Sequence, residues 1–326
     1  MGSLPHIVED CMGVLQVFSD GTINRCSLMD IDFNIPVVDD HSVAFKDVTF
    51  DKRHNLSLRL YKPKSANRNS KLPVVFYFHG GGFCVGSCVW PNCHNCCLRL
   101  SAGLQALVVA PDYRLAPEHK LPAPIDDAVS AVEWLQREAL MSKSGDCDAW
   151  MGGTADFDRV FIVGDSSGGN IAHHLAVRLE AGSAKVAPVR VRGYVLLAPF
   201  FGGVERTRSE EGPCEALLSL DILDRFWRLS MPAGETRDHP LVNPFGPNSP
   251  NLEKVALDPI LVIVGGNEIL KDRVESYWRK LEELGKKIEY VEFEGQQHGF
   301  LTADPYSEVS NEALQFIKRF MIENSN

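Results

Sequence analysis

The sequence predicts an α/β fold with a mostly parallel central sheet, helices on both faces of that sheet and a helical cap. Three observations carry the prediction. Short, almost wholly apolar runs recur along the chain, segments with helical periodicity lie between them, and one long stretch interrupts the alternation. Apolar runs of this kind make sense only when both faces of a strand are buried, which is the condition inside a parallel sheet.

The elements follow in order. Ser42–Phe50 and Leu56–Tyr61 are β-prone and flank a polar turn at Asp51–Asn55, the pattern of an antiparallel hairpin at a sheet edge. A polar loop, Pro63–Lys71, leads into the first buried strand, Leu72–Phe78. Further strands are expected at Ala106–Ala110, Val160–Val163, Val191–Leu197 and Ile260–Val264, with Lys287–Phe293 as a final, more polar one. Helix-period segments separate them at Cys93–Ala102, Ile125–Leu140, Gly169–Leu179, Leu270–Leu284 and Ser307–Met321. Between Phe200 and Pro247 no strand pattern occurs; Glu215–Leu229 is amphipathic and bounded by Pro213 and Pro232, which reads as a lid. The expected division is an amino-terminal cap segment at 1–40, a core at 41–199 and 246–326, and a cap insertion at 200–245.

Composition narrows the function classes. The 326 residues are 44% hydrophobic and 23% charged, ordinary values for a folded chain with a sizeable core. Lys+Arg 33 against Asp+Glu 43 gives a net charge of −10, so the basic footprint of a nucleic-acid binder is missing. His6, Glu9 and Asp10 interrupt the region where a secretory signal would be apolar, and no apolar window is long enough to span a membrane. With nine cysteines, an odd number, reduced thiols are expected in place of a disulfide framework. A cytoplasmic protein is expected, with the nucleus as a second compartment.

The strongest chemical signal is Gly164-Asp-Ser166-Ser-Gly168-Gly169-Asn170, directly after an apolar strand and directly before a helix. A nucleophile on such an elbow needs small neighbours so that strand and helix can approach, and the glycines supply them. Ser166 is the expected nucleophile. His79-Gly80-Gly81-Gly82-Phe83 follows another buried strand and leaves backbone amides free to face a ligand. The amides of Gly81, Gly82 and Ser167 are the expected oxyanion hole. A general base should come last in chain order, and His298, just past the final strand, has that position. The orienting carboxylate has two candidates one helical turn apart, Glu268 and Asp272. Glu268 is preferred because it follows the strand end most closely.

Substrate preference is expected from aromatic residues near the oxyanion loop and in the cap: Phe83, Trp90, Phe200, Phe201, Phe226 and Trp227 could wall an apolar pocket. No charged clamp is visible, which favours a compact neutral ester or lactone. No metal or organic cofactor is required by this chemistry. Cys84, Cys88, Cys93, Cys96 and Cys97 crowd the segment after the oxyanion loop, but Cys93-x-x-Cys96 is only half of a zinc site, and cysteines at helical spacing fill space as small apolar residues.

These residues resemble the hormone-sensitive-lipase-like α/β-hydrolases, and among them the plant carboxylesterases. Four motifs match in order across almost the whole chain: His79-Gly-Gly-Gly-Phe83, Asp112-Tyr-Arg-Leu-Ala-Pro-Glu118-His, Gly164-Asp-Ser-Ser-Gly-Gly-Asn170 and His298-Gly-Phe300. The resemblance implies the α/β-hydrolase fold, a serine esterase mechanism through an acyl-enzyme, and a structural brace at Asp112–His119. It places the triad acid at Glu268, where the family usually has Asp. Val8–Gln16 and Pro199–Thr207 look most like the carboxylesterases that hydrolyse strigolactones. Two related groups share the fold: gibberellin receptors, which lack the catalytic histidine, and 2-hydroxyisoflavanone dehydratases, which use a similar constellation for elimination. Ser166 and His298 are both present, against the receptor reading.

Overall fold

The computed structural model describes residues 4–26, 35–38, 41–65, 71–213 and 218–325. Parts of the expected amino-terminal cap segment and the first residues of the amphipathic stretch, Glu215–Leu217, lie outside the described residues.

The chain opens on three short strands, β1 (Ile7–Cys11), β2 (Leu15–Phe18) and β3 (Ile23–Arg25), which form a small antiparallel sheet of their own. The sequence reading had no strands here. With five, four and three residues, these runs are too short and too mixed in exposure to show a period. The hairpin follows as β4 (Val43–Asp51) and β5 (Leu56–Pro63), paired antiparallel with Val48 opposite Leu58.

The alternating part then runs β6 (Leu72–Phe78), α1 (Pro91–Leu104), β7 (Leu107–Pro111), α2 (Ala123–Met141), β8 (Ala155–Asp165), α3 (Ser167–Leu179) and β9 (Val191–Leu197). Helix α4 (Leu220–Ser230) lies in the interruption, capped by Ser219, whose hydroxyl accepts from Ile222 N. The chain returns to the sheet with β10 (Ile260–Gly265), α5 (Lys271–Glu283) and β11 (Ile288–Phe293), and ends with α6 (Phe300–Ala303) and α7 (Glu308–Glu323).

The large sheet has the order β11-β10-β9-β8-β6-β7-β5-β4. All neighbours are parallel except β5, which runs against β7 and β4. Alternation along β6 shows how the layers form. Val74, Phe76 and Phe78 join one buried cluster with side chains of α2, α3 and α5; Val75 and Tyr77 join the other with α1 and α7.

Strand order also positions the site. The chain moves from β6 outward to β7, then crosses back to place β8 on the other side of β6. Connections from β6 and β8 therefore leave in opposite directions, and a crevice opens at the carboxyl ends of these two strands. Their ends are level, with Phe78 opposite Gly164, and at the far side Gly265 of β10 stands opposite Phe293 of β11.

The roof over this crevice is tied down by ion pairs. Glu9 of β1 pairs with Arg225 and Arg228 of α4 at 3.0 and 2.9 Å, and Arg25 of β3 holds Glu118 and the carbonyls of Cys84 and Ala116.

Candidate active site

Ser166 lies in the turn from β8 to α3 with φ 54° and ψ −113°. A residue with a Cβ reaches this conformation only under strain of roughly 1–3 kcal/mol, which the surrounding packing must hold. Here the packing is backbone against backbone. A Cβ on Gly168 would stand 2.0 Å from Phe78 O, and one on Gly164 would stand 2.0 Å from Gly168 O. Only glycine lets β8, α3 and the end of β6 meet so closely. Ser166 N donates to Leu197 O and Phe200 N donates to Ser166 O, which fixes the elbow from the β9 side.

His298 follows β11, and its Nε2 lies 3.1 Å from Ser166 Oγ. On the other side of the ring, Nδ1 lies 3.3 Å from Glu268 Oε1. A carboxylate facing Nδ1 favours the tautomer with the proton on that nitrogen, leaving Nε2 to accept from the serine hydroxyl. Glu268, in the turn between β10 and α5, is held by Gly265 N, which donates to its Oε2 at 3.0 Å. All three side chains are buried, Glu268 being 3% exposed. Asp272 points elsewhere: it sits in the first turn of α5, and its Oδ2 accepts from Ser209 N at 2.9 Å. Of the two acids, Glu268 is the one that reaches the imidazole.

The glycine loop adopts the backbone its composition permits. Gly81 has φ 119° and Gly82 φ 59°, and Gly81 O accepts from both Cys84 N and Val85 N. Ser167 opens α3, so its amide belongs to the first turn, where no helix carbonyl is available to it. Behind the loop, the His79 ring stacks on Tyr113 at 4.3 Å, and Tyr113 Oη donates to His79 O at 2.8 Å. Asp112 accepts from Cys88 N and from Ser87 Oγ. This is the brace that the resemblance implied.

A cavity of about 420 Å³ opens on Ser166 and His298. Of the six aromatic residues expected to wall it, Trp90, Phe200 and Phe226 do so. Phe83 and Trp227 stand behind the wall, Trp227 stacked on Phe200 at 3.9 Å. Phe201 turns away to pack on Tyr277 and His173. Further apolar wall comes from residues the sequence did not assign to the pocket, among them Met12, Val14 and Ile35 from the amino-terminal segment, Val85, and Leu218 just before α4.

Asp165, also in the wall, had no assigned part. It is buried beside Ser166, and burial pushes its carboxyl up to about 6, although the neighbouring His298 and a hydrogen bond from Thr302 act in the other direction. Its position inside the elbow motif was visible, but nothing in the sequence said that it faces the cavity.

The cysteines beyond the loop are buried, and desolvation raises the thiols of Cys84, Cys88, Cys93, Cys96 and Cys97. They are protonated and inert at neutral pH, in keeping with small apolar fillers. Among the described residues no group of three His, Cys, Asp or Glu side chains is arranged to hold a metal ion, and no helix is long and apolar enough to cross a membrane.

Residues 75–302 match the family model of the alpha/beta hydrolase fold. A 3-O-acetylpapaveroxine carboxylesterase of Papaver somniferum is 36% identical over 86% of this chain and 88% of its own length. A 2-hydroxyisoflavanone dehydratase of Glycyrrhiza echinata is 34% identical over 95% of this chain and 94% of its own. Among solved structures, an esterase of Pyrobaculum calidifontis superposes with a TM-score of 0.69 at 30% identity, covering 89% of this chain and 87% of the esterase.

Proposed function

This chain belongs to the alpha/beta hydrolase fold family and is a carboxylic ester hydrolase; on that premise we propose that it works through an acyl-enzyme on Ser166, with a compact, apolar, neutral ester or lactone as substrate and a strigolactone as the leading candidate. The observation that carries the reading is the continuous Ser166–His298–Glu268 hydrogen-bond chain at the floor of a mostly apolar cavity.

In the proposed mechanism, His298 Nε2 takes the hydroxyl proton as Ser166 Oγ attacks the ester carbonyl, and Glu268 stabilises the imidazolium that results. The developing oxyanion is received by the amides of Gly81, Gly82 and Ser167. His298 then gives its proton to the departing alcohol. Water activated by the same imidazole releases the acid and restores Ser166.

Charge and volume support the substrate class. The cavity suits a small molecule held mostly by apolar contacts, and a buried acid at Asp165 disfavours an anionic ester there. The amino-terminal and cap segments that resemble strigolactone-hydrolysing esterases contribute Met12, Val14 and Phe200 to its wall.

A test compares wild type with Ser166→Ala on p-nitrophenyl acetate and on a strigolactone, with mass spectrometry of the protein after brief exposure. The expected result is loss of both activities in the variant and an acyl adduct on Ser166 of the wild type. Unchanged hydrolysis by Ser166→Ala would end the mechanism, and turnover of acetates alone would end the strigolactone assignment. The full-length similarity to a dehydratase supports elimination as a second reading. Product analysis separates the two, because hydrolysis yields an acid and an alcohol whereas elimination releases one water.

A further inference from the structure

The amino-terminal sheet does more than roof the cavity. Arg25, the last residue of β3, commits every nitrogen of its guanidinium to segments far away in the chain. Nη1 donates to Cys84 O and Nη2 to Ala116 O, both at 2.7 Å, while Nε and Nη2 hold the Glu118 carboxylate at 2.8 and 2.6 Å. An ion pair alone would need only the carboxylate; the fork also reaches two backbone carbonyls.

Both carbonyls belong to the frame of the proposed oxyanion hole. Gly81, Gly82 and Phe83 have φ 119°, 59° and 63° in succession. Glycine takes such values freely, but Phe83 carries a Cβ and keeps this backbone only while its surroundings over-determine it. Gly81 O accepts from Cys84 N and Val85 N, which closes the turn, and Phe83 O accepts from Ala116 N at 2.9 Å. Arg25 grips the same two partners, Cys84 and Ala116, through their carbonyls. Both residues are wholly buried, and among the described residues no other group donates to either oxygen. Without the guanidinium, two buried acceptors lose their donor and must shift to recover one. The loop that carries the amides of Gly81 and Gly82 is bonded to both residues and would shift with them.

We propose that Arg25 is a positioning residue for ester hydrolysis, holding the amides of Gly81 and Gly82 where they receive the oxyanion while standing outside the cavity wall. This rests on the esterase reading above and deepens it, because the amino-terminal sheet becomes part of the catalytic frame. A displaced oxyanion donor is felt when negative charge develops on the carbonyl oxygen, and little when substrate first binds. The effect therefore falls on kcat and not on KM.

The test uses full-length Arg25→Met, which keeps an unbranched apolar stem and removes every donor. Two inhibitors of one skeleton are compared, benzylacetone and its trifluoromethyl ketone analogue. Ser166 Oγ adds to the carbonyl carbon of the fluorinated ketone, the hydroxyl proton passes to His298, and the former carbonyl oxygen lies as an anion in the oxyanion hole; benzylacetone binds without reacting. The ratio of their Ki values, taken in one preparation, is indifferent to a loss of folded protein. In Arg25→Met the Ki of the trifluoromethyl ketone should rise by about 10-fold or more and kcat on p-nitrophenyl acetate should fall by a similar factor, with KM and the Ki of benzylacetone within about 2-fold of wild type. Glu9→Gln, which loosens the other tie of the roof, should keep the wild-type ratio. Arg25→Lys is the second variant should Arg25→Met not fold: one ammonium cannot span two carbonyls and a carboxylate, so the ratio should shift in the same direction by a smaller factor.

A wild-type ratio in Arg25→Met, or in Arg25→Lys where that is the variant that folds, would overturn the proposal. An equal shift in Glu9→Gln would overturn it as well, since attachment of the roof and not the grip on the loop would then be the cause. Failure of the esterase reading has a different signature, because hydrolysis of p-nitrophenyl acetate would then survive Ser166→Ala.

Discussion

Asp165→Asn tests the electrostatics of the elbow through protein stability. Asp165 is 8% exposed, and its carboxyl is raised from 3.8 to about 6, chiefly by desolvation, with the charge on Glu268 adding to the rise. Since the folded protein holds this proton more tightly than the unfolded chain, folding binds protons between those two values. Stability from this group is therefore fully present below about pH 4 and is lost as pH rises through about 6. At roughly 1.4 kcal/mol per pH unit, the interval is worth about 3 kcal/mol once the group is ionised. Asparagine has nearly the same shape and cannot ionise, so the variant escapes this loss. Urea unfolding of both proteins at pH 4.5 and pH 8 is the assay. The stability of the variant relative to wild type should improve by about 2 kcal/mol between the lower and the higher pH. A difference that does not change with pH, or one that changes in the opposite direction, would refute the argument that burial holds this carboxyl up.

Further predictions follow from the geometry. Glu268→Gln keeps the shape beside His298 and removes the charge, and kcat on a simple ester should drop by ~10³–10⁴-fold; Asp272→Asn, whose carboxylate faces Ser209, should lose far less, and the reverse order would reassign the triad acid. Gly168→Ala forces a Cβ to 2.0 Å from Phe78 O, so soluble, folded yield should collapse; a well-folded variant with an unchanged melting temperature would contradict the packing. Arg273 and Glu210 form an ion pair at 2.6 Å with the Glu210 side chain 1% exposed. Arg273→Ala strands that carboxylate and should cost ~3–5 kcal/mol, read as a lower melting temperature that recovers in part when Glu210→Leu is added.

The parallel core was legible because its strands are buried on both faces and its helices are amphipathic, two patterns that local sequence records directly. Strand ends differ from expectation by a few residues at most positions, and β8 is longer at its start because Ala155–Arg159 is too mixed in polarity to read as buried. The amino-terminal sheet was illegible for the same reason: Ile7 and Val8 are exposed, and runs this short carry no period. Which rings face the cavity was equally hidden. Phe83 and Phe200 are both almost wholly buried, so the burial signature of a core aromatic and of a pocket aromatic is the same.

Sequence by itself determined the candidate reacting groups, since the elbow and the glycine loop each consist of neighbouring residues whose backbone demands are written in their glycines, and since His298 follows the last strand. Only the tertiary structure decided what those groups meet. Glu268 and Asp272 are four residues apart in the chain, yet the turn after β10 folds one back to Gly265 N and His298 while α5 turns the other toward Ser209. The cavity walls likewise come from Met12, Asn92, Leu218 and Phe226, residues spread over the whole chain. Their meeting depends on strand order and on how the roof is tied down, and no local stretch of sequence encodes either.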